Sequence, residues 1–310
     1  MSKTPSKLAS TRSAAAERLA RLADAAHASG RWGPLVTIGR RMGRHELIDR
    51  GAALTYYSVL SLIPGLLVLF SVIGLLGDSG TVDDVLEILD EVGPSDVEGA
   101  ARDPVESLID SDAQSGALLG LGVVGVLWTA SAYIGSFFRA SATIWGVERR
   151  PVWRAWPLRM GLTVVFLVLL ALALLLIVLT GQLARSIADA VGVGGGIVDL
   201  YNLLKWPALL VLLTLLIGLL YRASPSGTRS TGWRVLTPGG AAAMFAWLLV
   251  SAGFNAYANL FATYDTTYGA LGTTIAGLVW LWLTNLTLLM GVELDAALEL
   301  GREAEGSTGP

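Results

Sequence analysis

Six stretches of the chain carry no charge, and their lengths constrain the fold more than any other feature. They separate Arg50 from Asp78, Asp112 from Arg139, Arg159 from Arg185, Lys205 from Arg222, Arg234 from Asp265, and Asp265 from Glu293. Four hold 25 to 27 residues, the fifth in order holds 30 and the fourth holds 16. A helix needs roughly 20 apolar residues to cross the hydrocarbon of a bilayer. Six such runs therefore predict an all-α, polytopic integral membrane protein. Composition agrees: 53% of residues are hydrophobic and only 15% charged, against roughly 25% charged in soluble domains. This balance excludes a soluble enzyme, a disordered chain and a nucleic-acid binder. The absence of cysteine excludes disulfides, a thiol nucleophile, an iron–sulfur cluster and a thiolate zinc site.

The six transmembrane helices are expected at about 51–76, 115–138, 157–184, 200–221, 238–261 and 268–298 within a membrane domain of 51–300. Pro64 falls inside the first and predicts a kink, because proline removes one backbone hydrogen bond. Pro157 suits the first turn of the third helix, and Lys205 snorkels outward from the fourth. Residues 1–30 are Ala-rich and basic, lack the apolar centre of a cleavable signal, and read as a disordered cytoplasmic tail. Between 31 and 50 the apolar Leu35, Val36, Ile38, Met42, Leu47 and Ile48 alternate with Arg40, Arg41, Arg44 and Arg50. That pattern predicts an amphipathic helix in the membrane interface or one packed on the rest of the protein. The outer loop 77–113 carries twelve acidic residues against Arg102 alone, with helical pieces such as VDDVLEILDEV. Residues 301–310 read as a disordered tail.

Orientation follows from lysine and arginine, which favour cytoplasmic segments. With both termini inside, the inner segments hold nineteen of these residues and the outer segments three: Arg102, Arg185 and Lys205. The acidic loop then faces outward, away from the negative inner-leaflet surface. A membrane protein with both termini on the cytoplasmic side is the consequence. Arg149, Arg150 and Arg154, set among Trp145, Trp153 and Trp156, belong at headgroup level and favour anionic lipid. Membrane lipids are thus the expected partners, nucleic acid is not, and a homo-oligomer is compatible with the pattern.

The motifs of soluble enzymes fail on context. GLGVVG at 120–125 matches a dinucleotide-binding fingerprint, but that motif works only between a strand and a helix. Here Gly116, Gly120 and Gly125 are expected to let neighbouring helices approach closely. The two histidines, His27 and His45, both lie in the basic N-terminal part with no second ligand beside them. No metalloprotease, nucleophile-elbow or phosphate-loop motif occurs. No catalytic residue, metal or cofactor is expected.

Polar and aromatic groups at membrane depth are more informative, because each is costly in hydrocarbon and tends to face protein or a wet cavity. Tyr56 and Tyr57, Trp128, Asn255 and Asn259, and Trp280 and Asn285 predict a polar, aromatic-lined interior between helices one, two, five and six. Single side chains of this kind also serve simply to join helices. Asp265 and Tyr268 lie in the turn YDTTYGALG, where Asp265 either caps the sixth helix or lines the outer mouth. Asp49, Arg50, Arg139 and Glu293 border the runs at the inner side as candidate gate charges, with Asp49 and Arg50 able to pair with each other or with Glu293. Helices three and four carry almost nothing polar and read as lipid-facing. PGLLVLFS (64–71) echoes PALLVLLT (207–214), as inverted repeats of three helices would.

Several of these segments, read in order, resemble the YihY/BrkB family of bacterial inner-membrane proteins. The resemblance runs from Asp49 with AALTYYSVLSLIP (52–64), through WTAS (128–131) and GVERRPVW (146–153), to Tyr221-Arg222 and WRVLTPGGA (233–241). It continues in Trp247, YDTTYGALG (264–272), WLW (280–282) and GVELD (291–295). The chain departs from the family pattern at Ala223-Ser224-Pro225 and at Val292 and Asp295. The resemblance implies a six-helix inner-membrane protein, a family that has carried a ribonuclease label and been associated with virulence and envelope lipid traffic. Nothing in this sequence would hold a metal or a base on a phosphodiester. The expected function is a transporter or flippase-like protein for a lipid or small amphiphile. The alternative is a non-catalytic scaffold for envelope assembly acting through the acidic outer loop.

Overall fold

A computed structural model describes residues 41–76, 112–148, 152–178, 195–225, 236–261 and 265–307. Six long helices follow one another there: α1 (Leu47–Leu76), α2 (Asp112–Trp145), α3 (Val152–Val178), α4 (Gly195–Ala223), α5 (Pro238–Phe261) and α6 (Asp265–Ser307). No strand occurs among the described residues. Stretches of α2 (Gly120–Trp145), α3 (Trp156–Leu176), α4 (Leu203–Ala223), α5 (Pro238–Ala256) and α6 (Thr274–Leu300) are long and apolar enough to cross a membrane. The acidic loop, the N-terminal tail and the interfacial helix up to residue 40 lie outside the described residues, as do Arg149 and Arg150.

The helix ends depart from the sequence expectation for local reasons. A helical turn at 41–44 precedes α1 and is separated from it by a bend at Glu46, whose φ is +52°. This left-handed conformation costs a non-glycine residue on the order of 1 kcal/mol. It turns the segment carrying Arg41 and His45 back over the bundle. α2 runs seven residues past its expected end, through Arg139, and closes at Gly146 with φ +61°. There Gly146 N donates to Thr143 O (3.1 Å) and Val147 N to Ala142 O (3.0 Å), the paired bonds of a glycine C-cap. Thr237 caps α5, its Oγ1 accepting from Gly240 N at 3.0 Å, with Pro238 in the first helical position. α6 continues to Ser307 rather than stopping near residue 298, helped by the strong helix formers Glu299, Arg302, Glu303 and Glu305. α1 runs on through Pro64, whose ring packs against Gly125 of α2. Gly120 meets nothing within 4 Å, so it is not a contact point between helices.

Each helix packs on its neighbour in sequence, and α6 closes the ring on α1 while also touching α2. Among the described residues the core lies at one end of this ring. It comprises Leu47 and Leu54 of α1, Ile134, Phe137, Ala140 and Ile144 of α2, Ile217, Leu220 and Tyr221 of α4, Ala243 of α5, and Leu289, Val292 and Ala296 of α6. Odd helices begin at this packed end and even helices finish there. In the opposite half, Gly122 alone is buried among the described residues, and Leu121, Val124, Leu203, Leu204 and Ile275 are exposed. α3 is exposed along most of its length beyond Thr163. α4 is not uniformly lipid-facing: its first half is exposed and its last turns enter the core.

Candidate functional site

At the packed end a charge cluster joins three elements that the sequence keeps far apart. Glu293, on the buried face of α6, is completely shielded from solvent (0% exposed). Its carboxylate is ion-paired with Arg41 and meets His45 Nδ1 at 2.8 Å through Oε2. Arg41 is buried as well, and its Nη2 donates to Ile144 O at 3.0 Å. That carbonyl is one of the last four of α2, which have no partner within the helix and sit at its negative end. One arginine thereby neutralises a buried carboxylate and satisfies a helix terminus.

Arg50 does not join this cluster. Its Nε donates to His45 O at 2.7 Å and its Nη2 lies 3.9 Å from Glu46, which braces the bend before α1. Asp49 is exposed, on the same face of α1 as Ile48 and Ala52. The expected pairing of Asp49 or Arg50 with Glu293 is therefore replaced by Arg41 and His45. The left-handed turn at Glu46 is the cause, because it directs those two residues inward.

Asp295, two residues beyond Glu293, faces the other way, into the start of α5. Thr237 Oγ1 donates to its Oδ2 at 2.5 Å and Gly239 N to its Oδ1 at 2.7 Å. A carboxylate thus occupies the positive N-terminus of α5. α5 and α6 cross in contact at Gly239 and Gly291. A β-carbon on either glycine would collide with the carbonyl oxygen of the other. Tyr221 closes over the crossing: its hydroxyl lies against Gly291 and donates to Leu288 O at 2.5 Å, while its ring stacks on Phe137 at 6.0 Å.

One level further along, Asn285 ties α1, α2 and α6 together. It is 2% exposed, accepts from Tyr133 OH at 2.8 Å, and donates to Thr55 Oγ1 at 3.2 Å and Leu281 O at 2.9 Å. Trp282 Nε1 donates to Ile48 O at 3.2 Å, and Trp280 Nε1 to Ser251 Oγ at 3.3 Å. Among the described residues, no group of three metal-binding side chains occurs.

The family model described as "Virulence factor BrkB" matches residues 38–310. The chain belongs to the BrkB family. It is 28% identical over 259 residues to the ribonuclease-like protein YfkH of Bacillus subtilis, covering 82% of this chain and 90% of the relative. It is 30% identical over 250 residues to a UPF0761 membrane protein of Rhodospirillum centenum (80% of this chain, 53% of the relative). Over 273 residues it is 27% identical to one of Nitrosospira multiformis (87% and 62%). The chain thus spans most of the first relative and between half and two thirds of the other two. No solved structure matches it. Together with the apolar helices, these relatives make it a multi-pass bacterial membrane protein.

In this BrkB-family chain the residues expected from sequence are dispersed. Asn285 is buried and multiply bonded, Trp280 is half-buried against α5, and Tyr57 is half-buried with Tyr56 edge-on at 5.5 Å. Tyr56 (63% exposed) and Trp128 (75% exposed) lie on outward faces of α1 and α2, and Asn255 and Arg139 are exposed too. Tyr56 and Trp128 therefore do not share an enclosed interior with Asn285. The side chains of Asn259, Asp265, Tyr268 and Arg154 lie outside the described residues. Sequence reasoning missed Arg41, His45, Thr237 and Tyr221 as partners in a site. A signal existed for the first two: a carboxylate in an apolar helix needs a cation, and basic residues crowd the segment before α1.

Proposed function

We propose that this BrkB-family protein is an alternating-access carrier or flippase for a lipid or small amphiphile. It spans the membrane six times with both termini in the cytoplasm, α1 being the sixth span at 30 residues. The observation that carries this reading is the one-sided packing. All six helices converge at the end that the charge distribution assigns to the cytoplasm, sealed by Arg41, His45 and Glu293, while the described side chains of the opposite halves are almost all exposed or half-buried. A bundle closed at one end and loose at the other is the arrangement that one state of a rocking carrier requires. The Asn285 junction of α1, α2 and α6 lies where the packed and loose halves meet, a position suited to a hinge.

The test is flux in proteoliposomes. Protein reconstituted with a headgroup-labelled phospholipid is expected to let an impermeant quencher reach the inner-leaflet label with time. Glu293→Gln, which loosens the closed end, is expected to change that rate, while Gly161→Ala on the open face of α3 leaves it unchanged. No movement of labelled phospholipids of several headgroups, nor of small amphiphiles, would sink the proposal.

A further inference from the structure

The contact between α2 and α3 carries positive charge with no carboxylate paired to it among the described residues. Arg159 lies three residues into the apolar stretch that begins at Trp156, directly across Gly135 of α2. A β-carbon on Gly135 would stand 2.6 Å from Arg159 Nη1 and 3.3 Å from its Cδ, so a larger residue there would have to displace the end of the arginine side chain. Arg159 Nε is buried and has no hydrogen-bond partner among the described residues. Arg139, one turn beyond Gly135, is near enough for its charge to act on Arg159. The described ion pairs are Arg41–Glu293, His45–Glu293, Arg50–Glu46 and Arg302–Glu299, and neither arginine takes part.

Guanidinium groups at the edge of spanning segments, with no carboxylate partner among the described residues, attract anionic headgroups. We propose that Arg139 and Arg159 form a binding site for a phosphate group, supplied by the headgroup of an anionic phospholipid. Guanidinium suits phosphate because it offers paired N–H donors in one plane. The lipid origin follows from what adjoins the pair. Trp128 and Leu121, 11 and 18 positions before Arg139, fall on the same face of α2 and are both exposed. They extend an apolar track of roughly 16–27 Å toward the loose half, at 1.5 Å per residue, which matches an acyl chain. Trp156, 54% exposed, stands beside Arg159 at the level where indoles meet headgroups. The site does not depend on the transport reading.

The experiment uses the full chain in detergent, with thermal unfolding followed during titration of phosphatidylglycerol, phosphatidylcholine or inorganic phosphate. Native mass spectrometry counts the lipids retained. Phosphatidylglycerol is expected to raise the midpoint, with phosphatidylcholine and inorganic phosphate doing little at equal concentration. Arg139→Gln, at an exposed position that leaves the fold intact, is expected to weaken the effect about fivefold, and Arg139→Gln/Arg159→Gln to abolish it. Arg302→Gln, at an exposed position near the end of α6, is expected to keep it. An undiminished phosphatidylglycerol effect in both Arg139 variants, or an equal effect of phosphatidylcholine, overturns the site. An equal effect of inorganic phosphate overturns its assignment to lipid.

Discussion

His45 Nδ1 lies 2.8 Å from Glu293 Oε2, a contact between residues 248 positions apart that ties the segment before α1 to α6. With Arg41 on the same carboxylate, it closes the ring of helices at the packed end. The arrangement is demanding, because a buried ion pair is worth little net but is costly to break from one side.

Glu293→Gln is accordingly expected to destabilise the protein by about 3–5 kcal/mol, since it leaves Arg41 buried without its counter-charge. Arg41→Met/Glu293→Leu, which removes both charges, is expected to lose less than the single change. Midpoints of thermal or denaturant unfolding in detergent give the comparison. A double variant as damaged as Glu293→Gln would show that packing, not charge, dominates there.

The α5–α6 crossing makes a steric prediction. Gly291→Ala places a methyl against Gly239 O and the Tyr221 hydroxyl, and overpacking of this kind costs about 1–3 kcal/mol. Gly291→Ala/Tyr221→Phe is expected to recover only part of the loss, because the collision with Gly239 remains. Gly161→Ala, with nothing within 4 Å of its added carbon, is expected to be neutral or to stabilise by up to about 1 kcal/mol through helix propensity. The same melting assay separates the three.

Much of the fold was legible because hydrocarbon thickness imposes a minimum apolar length, which charge spacing reveals directly. Helices cover the expected stretches, five of them with segments long and apolar enough to cross a membrane, and although most ends moved, α5 begins and ends where expected. The run of α2 past Arg139 depends on a C-cap at Gly146 that hydropathy does not register. The site was legible only in part. Asn285 was found because an amide inside an apolar run needs a partner. Tyr56 and Trp128 were expected to face an interior, yet aromatic rings lie cheaply against lipid and headgroups, so their presence does not indicate direction. The Arg41–Glu293 pair was legible only as the need of Glu293 for a cation, because which arginine answers it depends on a left-handed bend at Glu46, a residue type that does not announce one.

Asn285→Leu is expected to cost roughly 0.6 kcal/mol for each of its two inter-helix bonds, the usual scale inside membranes. It leaves Tyr133 OH without its acceptor, whereas Thr55 Oγ1 still donates to Gly51 O at 2.9 Å. Tyr133→Phe in the Asn285→Leu background is therefore expected to restore part of the stability. A double-mutant cycle on unfolding midpoints measures the coupling, and additive losses would mean that the bond between Tyr133 and Asn285 contributes nothing.

Ser141 and Ser224 permit a direct test of whether the packed end opens. Ser141 Oγ donates to Ser224 Oγ at 3.1 Å, bridging α2 to the residue just beyond α4, and both serines are buried. Serine to cysteine changes little in volume, and the chain contains no other cysteine. Ser141→Cys/Ser224→Cys is expected to form a disulfide under mild oxidant, since the hydroxyl separation brings the two sulfurs close to bonding geometry. Non-reducing electrophoresis after cleavage between the helices detects the bond. If carriage of lipid or amphiphile requires α2 and α4 to part at this end, the oxidised protein loses flux in proteoliposomes and reduction restores it. Full flux with the disulfide formed would confine any opening to other helix pairs, with α1, α5 and α6 the first to examine by the same approach.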